Sequence, residues 1–172
     1  FRSIVSQLAH HGLENVRVAL QHKLGVSFHF WRSEKLLDSL NDRALELLDT
    51  VGLRDLAEVV TVELPYGRKR ALEIATTLAM EPKMMLLDEP TQGMGHEDVE
   101  LVTRLIKKVS AGRTVLMVEH NMNVVASIAD TITVLARGSV IAEGAYETVS
   151  KNAQVLEAYM GSEATELQGA HG

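Results

Sequence analysis

The chain has 172 residues, of which 46% are hydrophobic and 23% are charged, and its formal net charge is −6. That length fits one domain with a real core, and the acidic balance argues against a nucleic-acid-binding surface, which needs a basic face. The sequence has no cysteine, which excludes disulfides and thiolate metal sites, and no apolar run approaches the roughly 20 residues of a membrane-spanning helix, so we expect a soluble chain.

Two amphipathic helices are predicted in the first third of the chain. Apolar residues recur at helical spacing over residues 13–24 and again over residues 36–51, and a glycine follows each stretch. Phe28, Phe30 and Trp31 lie between the two helices. These aromatic side chains either pack under a loop or form a contact surface for a partner.

Helices and strands alternate from Gly67 onward. This alternation predicts a mostly parallel sheet with helices on both faces. The last two strands flank Arg137-Gly138, which predicts a hairpin. The predicted elements are a helix from Gly67 to Met80, a strand at 83–88, a helix at 96–110, a strand at 114–119, a helix at 121–128, and strands at 131–136 and 139–143.

Two adjacent carboxylates end the first of these strands. Four apolar residues at 84–87 lead directly into Asp88 and Glu89, and so short a run is typical of a buried parallel strand covered on both faces. Ligands of such sheets bind beyond the carboxyl ends of the strands. Asp88 is therefore a candidate Mg²⁺ ligand, and Glu89 is a candidate general base or water-orienting group. The alternative is a strand followed by two solvated turn acids.

Two other positions have chemistry suited to phosphate. His120 follows a β-rich strand, where an imidazole can hydrogen-bond a γ-phosphate, although a lone histidine after a strand is often structural. Gly67 begins a helix, where the missing side chain lets backbone N–H groups approach an anion at the positive end of the helix dipole. The basic run at 68–70 indicates either proximity to phosphate or a solvated helix face.

The order of these motifs resembles that of the ATP-binding subunit of ABC transporters, in which a signature motif, a Walker B strand and a switch histidine follow one another. The resemblance implies an α/β, P-loop NTPase-like fold, a mostly parallel sheet flanked by helices, with an N-terminal helical subdomain. Four segments resemble more closely the importers of branched-chain amino acids, a group that also contains urea and amide importers: Leu13-Glu14-Asn15-Val16, Leu64-Pro65-Tyr66-Gly67, Glu89-Pro90-Thr91-Gln92-Gly93-Met94 and Ala158-Tyr159-Met160-Gly161.

The resemblance implies ATP and Mg²⁺ as cofactors and a role for each site residue. Glu89 and His120 are the implied catalytic residues, and Asp88 is the implied Mg²⁺ ligand. The signature residues contact the ATP held by the opposite subunit, and a D-loop follows Walker B. The signature residues are Leu64, Pro65, Tyr66, Gly67 and Arg68, and the D-loop residues are Gln92, Gly93 and Met94.

The chain also departs from the family pattern. Pro65 replaces a serine and cannot offer a hydroxyl to phosphate, whereas Arg68 replaces a glutamine and offers a forked set of donors instead. The sequence contains no Gly-x-x-x-x-Gly-Lys-Ser/Thr phosphate loop. We therefore expect an N-terminally truncated domain that binds ATP poorly alone and has an exposed, aggregation-prone sheet edge.

The implied organisation is a helical subdomain and connection at 1–63, the signature, Walker B and switch-histidine part of the ATPase core at 64–161, and a flexible tail at 162–172. The implied function is to bind and hydrolyse ATP for an importer, at the cytoplasmic face of the inner or plasma membrane. The implied partners are a second nucleotide-binding subunit, in a homo- or heterodimer, and transmembrane permease subunits, without nucleic acid. The alternative is a non-catalytic truncated domain that acts only as an interaction module.

Overall fold

The computed structural model describes residues 10–24 and 34–158, without the side chains of residues 34–37. The chain divides into two compact units, Phe1–Val118 and Glu119–Gly172. The aromatic residues Phe28, Phe30 and Trp31 and the predicted tail at 162–172 lie outside the described residues. The predicted boundary after residue 63 separates functional parts of the chain, and it stays a prediction. The boundary between the two compact units lies elsewhere, after Val118.

The described part of the first unit is mainly helical. Helix α1 packs on α2 and α3, and α3 packs on α2 and α4. The predicted helices are confirmed to within two residues at each end. The helices are α1 at Gly12–Lys23, α2 at Glu34–Thr50, α3 at Tyr66–Ala79 and α4 at His96–Val109, with 3₁₀ turns at Arg54–Leu56 and Thr61–Glu63. The largest fully buried side chains of this part of the chain include Leu48, Leu53, Ile74 and Ile106.

A buried polar network fixes the start of α1. Asn15 donates from Nδ2 to Thr61 Oγ1 over 2.8 Å, and the Thr61 hydroxyl donates to the carbonyl of His10 over 2.8 Å. Nearby, a hydrogen bond from the His10 side chain lowers the pKa of the Glu14 carboxyl. These contacts tie α1 to the 3₁₀ turn that precedes the signature segment.

Two parallel strands carry the predicted acids. Strand β1 (Met84–Asp88) pairs with β2 (Thr114–Val118), and Asp88 lies opposite Val118, so both carboxyl ends meet at one edge. Met85 is buried on one face. The prediction that β1 is covered on both faces is wrong, because the opposite face is open within the described residues. Its exposed apolar side chains are Met84, Leu86, Leu116 and Val118, and Leu86 is the most open at 72%.

The described part of the second unit contains the predicted hairpin. Strands β3 (Ile132–Ala136) and β4 (Ser139–Gly144) are antiparallel. Arg137 and Gly138 connect them with backbone φ of 51° and 78°, as a two-residue hairpin turn requires. Its helices are α5 at Met122–Ile128 and α6 at Tyr146–Val149, with helical backbone at 153–158, and its core includes Val124, Ile132, Val149 and Val155.

Across residues 10–24 and 34–158, no helix has both the length and the hydropathy that crossing a bilayer requires.

Candidate functional site

The predicted base, Glu89, has an unusual backbone. Its φ is 40°, in the left-handed region that costs a non-glycine residue about 1–2 kcal/mol. Two hydrogen bonds hold it there: its N–H donates to the carbonyl of Val118 over 2.9 Å, and its carbonyl accepts from the N–H of Gln92 over 3.1 Å. Strained backbone of this kind concentrates at functional sites, so the strain agrees with a functional role for Glu89.

The predicted D-loop forms a compact turn between β1 and α4. Pro90 and Thr91 are buried beneath it, whereas Gln92 and Gly93 are exposed. Gly93 has a φ of 73°, a conformation natural to glycine, and the N–H of Met94 donates to the carbonyl of Thr91 over 3.3 Å. The turn therefore presents residues 92 and 93 at the surface.

Asp88 is the last residue of β1, and its side chain is exposed on the same sheet face as Leu86. The described residues contain no cluster of three or more His, Cys, Asp or Glu side chains that would enclose a metal ion. One exposed carboxylate suits Mg²⁺, which takes hard oxygen ligands and usually keeps several waters alongside substrate phosphates. Asp88 fits a Mg²⁺ ion held jointly with phosphate, and the described residues do not form an all-protein cage for one.

The signature segment forms the start of α3. Leu64 is buried, Pro65 is the N-cap residue without a side-chain hydrogen bond, and Tyr66 opens the helix at the surface. At Gly67, an added Cβ would lie only 2.5 Å from Asp98 Oδ1. The absence of a side chain at this glycine therefore makes room for a carboxylate of the neighbouring helix.

Asp98 is a residue that the sequence analysis missed. It belongs to the first turn of α4 and is half-buried against the start of α3. A carboxylate suits this place because the N-terminal end of a helix carries partial positive charge. The local signal was an acid in the first turn after the D-loop, but only the packing of α3 on α4 brings it to Gly67.

Three consecutive basic residues of α3 each donate to a main-chain carbonyl. Arg68 Nη1 donates to Gly52 over 3.1 Å, and Lys69 Nζ donates to Val62 over 2.9 Å. Arg70 Nη2 donates to the carbonyl of Asp88 over 3.2 Å. The basic run thus joins α3 to three other segments and is not simply a solvated face. The interpretation of Arg68 as a phosphate donor stays a prediction, and the structure directs its Nη1 to the end of α2.

Arg70 links the signature helix to the end of β1. Besides the carbonyl of Asp88, its guanidinium contacts Glu73 Oε2 over 2.7 Å, while its Nε is buried without a hydrogen-bond partner in the described structure. The cleft beside it has a volume of about 280 Å³ and is also lined by Thr77 and Leu86. Arg70 therefore fixes the backbone that carries the two acids.

His120 belongs to the second unit. Its side chain is 68% exposed, and its Nδ1 lies 3.6 Å from Glu119 Oε2. In the first unit, the structure brings the signature residues close to the first turn of α4 and joins Arg70 to the strand that ends at Asp88. The roles predicted for all of these residues stay predictions.

Comparison with known proteins identifies the family. The family model described as ABC transporter matches residues 3–92. The chain belongs to the ABC transporter family. A second model, of the branched-chain amino acid ATP-binding cassette transporter, matches residues 139–165, so the resemblance predicted from the sequence is confirmed.

Relatives and solved structures of this family agree. The high-affinity branched-chain amino acid transport ATP-binding protein BraF of Pseudomonas aeruginosa is 33% identical over 159 residues, which cover 87% of this chain and 61% of BraF. A crystal structure of an ABC transporter's ATP-binding cassette in its ADP conformation matches with a TM-score of 0.74 and 25% identity, over 91% of this chain and 65% of that one.

A dimeric ATP-binding cassette in a post-hydrolysis state, bound to ADP and Pi, matches with a TM-score of 0.63 and 28% identity, over 81% of this chain and 58% of that one. These cassettes confirm the predicted fold class. The chain spans about 61% of the length of BraF.

Proposed function

We propose that the chain is part of the ATP-binding and ATP-hydrolysing subunit of an ABC importer for branched-chain amino acids, or for the related urea or amide substrates. The observation that carries this proposal is the end of β1. There a parallel strand delivers Asp88 to the surface and leads into Glu89, whose left-handed backbone is fixed by Val118 and Gln92. Membership of the family and the likeness to BraF support the class of transporter.

In this proposal, each acid has one role. Asp88 would supply a carboxylate oxygen to a bound Mg²⁺ ion, and the ion would neutralise phosphate charge. Glu89 orients the attacking water or accepts its proton, and the fixed backbone means that little reorganisation is needed during the reaction. His120 hydrogen-bonds the γ-phosphate from its exposed position.

The proposed assembly is a dimer of nucleotide-binding subunits, at the cytoplasmic face of the membrane, attached to transmembrane permease subunits. The signature residues at the start of α3 contact the ATP of the opposite subunit, and residues 92–94 form the D-loop. The dimeric relative bound to ADP and Pi supports the pairing of subunits. The start of α3 also has the N–H groups and positive dipole end that favour an anion, although Asp98 already places a carboxylate near them.

A second candidate function is a non-catalytic interaction module. One observation favours it: the sequence contains no Gly-x-x-x-x-Gly-Lys-Ser/Thr loop to cradle the phosphates of ATP. The same surfaces would then dock to a partner chain without turnover. Calorimetry of ATP·Mg²⁺ binding separates the two functions, using this chain and the chain extended by any coding sequence upstream of Phe1. Binding by either form supports the enzyme, and binding by neither supports the module.

The catalytic role of Glu89 is tested with Glu89→Gln in the form that binds ATP, assembled with its transmembrane partners. We expect ATP affinity to be unchanged and turnover to fall roughly 10²- to 10⁴-fold, the usual contribution of a general base. Glu100→Gln is the matched control, because it neutralises an exposed acid of α4. Turnover that survives Glu89→Gln at the control level would remove Glu89 from its proposed role.

A further inference from the structure

The residue before His120 is a buried carboxylate. The Glu119 side chain is only 1% exposed, and a charge so placed needs hydrogen-bond donors around it. Its Oε2 accepts the backbone N–H of His120 over 2.9 Å, and it lies 3.5 Å from the backbone nitrogen of Asn121. Glu119 therefore binds the backbone on which the histidine is mounted.

The chain is fixed immediately after His120 as well. Asn121 is the N-cap residue of α5, and its Oδ1 accepts the N–H groups of Asn123 and Val124 over 3.1 and 3.4 Å. Val124 is itself buried in the core of this unit. An exposed imidazole thus projects from a backbone that side chains hold on both sides.

The ring is also near the carboxylate. Glu119 Oε2 lies 3.6 Å from Nδ1 of His120, so Nδ1 is the ring nitrogen that lies near the buried acid. A proton on Nδ1 faces an acceptor. Nε2 is then the nitrogen whose role changes, since it accepts in the neutral ring and donates to an anion in the imidazolium.

We propose that Glu119 is a positioning residue for His120: it fixes the backbone of the turn and orients the ring with the proton on Nδ1 and with Nε2 outward. The orientation of the His120 ring by Glu119 does not depend on the proposed function. The effect of Glu119 on turnover does, because it rests on the role proposed for His120. Glu119 acts on the reaction only through the histidine, by reducing the conformational freedom that His120 loses when it binds an anionic oxygen.

The test uses Glu119→Gln in this chain, with ¹⁵N–¹H correlation NMR of the His120 ring. Glutamine keeps the size of the side chain and an oxygen that accepts the backbone N–H groups, so the turn stays folded while the charge is removed. We expect the ratio of the Nδ1–H to the Nε2–H tautomer of the neutral ring to fall about two- to fivefold, a modest change because the ring on which the carboxylate charge acts is largely exposed to solvent, which weakens the interaction. Glu147→Gln is the control, because it removes the same charge at an exposed residue of α6 in the same unit.

An unchanged tautomer ratio in a folded Glu119→Gln chain would overturn the proposal, since Glu119 would then serve the backbone alone. In the assembled transporter, Glu119→Gln is expected to lower kcat and leave KM for ATP largely unchanged. If His120→Ala leaves turnover intact, the role proposed for His120 fails, and the tautomer ratio still decides whether Glu119 orients the ring.

Discussion

The absence of a side chain at Gly67 has two explanations. The sequence suggested that the missing side chain lets an anion approach the helix, and the structure shows that it leaves room for Asp98 of the next helix. Both depend on the positive end of α3. Asp98 and an incoming phosphate carry the same sign of charge and are attracted to the same helix end, so the packing of Asp98 affects both the stability of the fold and the proposed site.

Substitution of Gly67 tests this contact. Gly67→Ala places a methyl group 2.5 Å from Asp98 Oδ1, so Asp98 must rotate or α4 must shift. Overpacking of this kind costs about 1–3 kcal/mol, and the upper part of that range is expected because Asp98 Cγ and Cβ would also lie only 2.7 and 3.0 Å from the added Cβ, so that rotation of the carboxylate alone does not relieve the contact. Adding Asp98→Ala should restore part of the lost stability. Urea unfolding of the two single variants and the double variant gives the coupling energy.

The control for this cycle is Gly12→Ala. An added Cβ at Gly12 would meet its neighbours at 3.5 Å or more, which is ordinary contact, and alanine suits a helix. Equal destabilisation of Gly67→Ala and of the double variant would show that Asp98 is not the obstacle.

Site residues differed in how far the sequence could predict them. Asp88 and Glu89 were proposed as site residues because their signal is local: an apolar strand, then two acids. Asp98 and Arg70 were assigned no specific partner, because their contacts with Gly67 and Asp88 cross from one element to another. Glu119 was visible in the sequence beside His120, yet the sequence did not predict that its side chain is only 1% exposed. A residue's chemistry can be read locally, whereas its partners come from packing.

At the scale of the elements, basic side chains of two neighbouring helices stabilise the C-terminal end of α2. Its last turn contains no basic residue, although cations are favoured at the negative end of a helix dipole. Arg68 of α3 donates to Gly52, and Lys108 Nζ of α4 donates to the carbonyl of Thr50 over 2.8 Å. Two other helices thus supply the charge that the sequence of α2 lacks.

Lys108→Met should loosen the end of α2. The variant keeps a long apolar stem but removes the donor and the charge, so we expect the local opening free energy to fall by about 0.3–1 kcal/mol, the usual worth of a cation at a helix C-terminus. Native-state hydrogen exchange of the Val51, Gly52 and Leu53 amides, which bond back to α2, reports it. Lys83→Met removes an equal charge just before β1 and is the control. Exchange rates equal to the control's would contradict the role of Lys108.

Element boundaries were predicted well because periodicity, glycines and turn residues are local. The hairpin at Arg137-Gly138 is the clearest case, since both residues adopt the positive φ that such a turn needs. The coverage of β1 was predicted wrongly, because the apolar run at 84–87 shows that a strand prefers burial but not which elements cover it. Which elements cover β1 depends on other segments of the chain, so the sequence of the strand alone does not predict it.

At the scale of the whole molecule, the open face of β1 and β2 is the feature that we expect to govern association in solution. Met84, Leu86, Leu116 and Val118 lie on one side of the parallel pair and are 51–72% exposed. Contiguous apolar surface of this kind promotes association, whereas isolated exposed apolar residues are common and harmless. We therefore expect this chain to self-associate through the open face.

The paired substitution Leu86→Glu with Leu116→Lys tests this expectation. The two residues are direct partners in the ladder, so the new charges attract each other across the strands and make the face polar without changing the net charge. We expect light scattering after size exclusion to show less association at equal concentration. Val18→Glu with Val62→Lys is the matched control, since both valines are similarly exposed, at 55% and 54%, but are not part of the sheet. If the control pair lowers association as much as the sheet pair does, surface charge in general and not the open sheet face governs the behaviour of the chain.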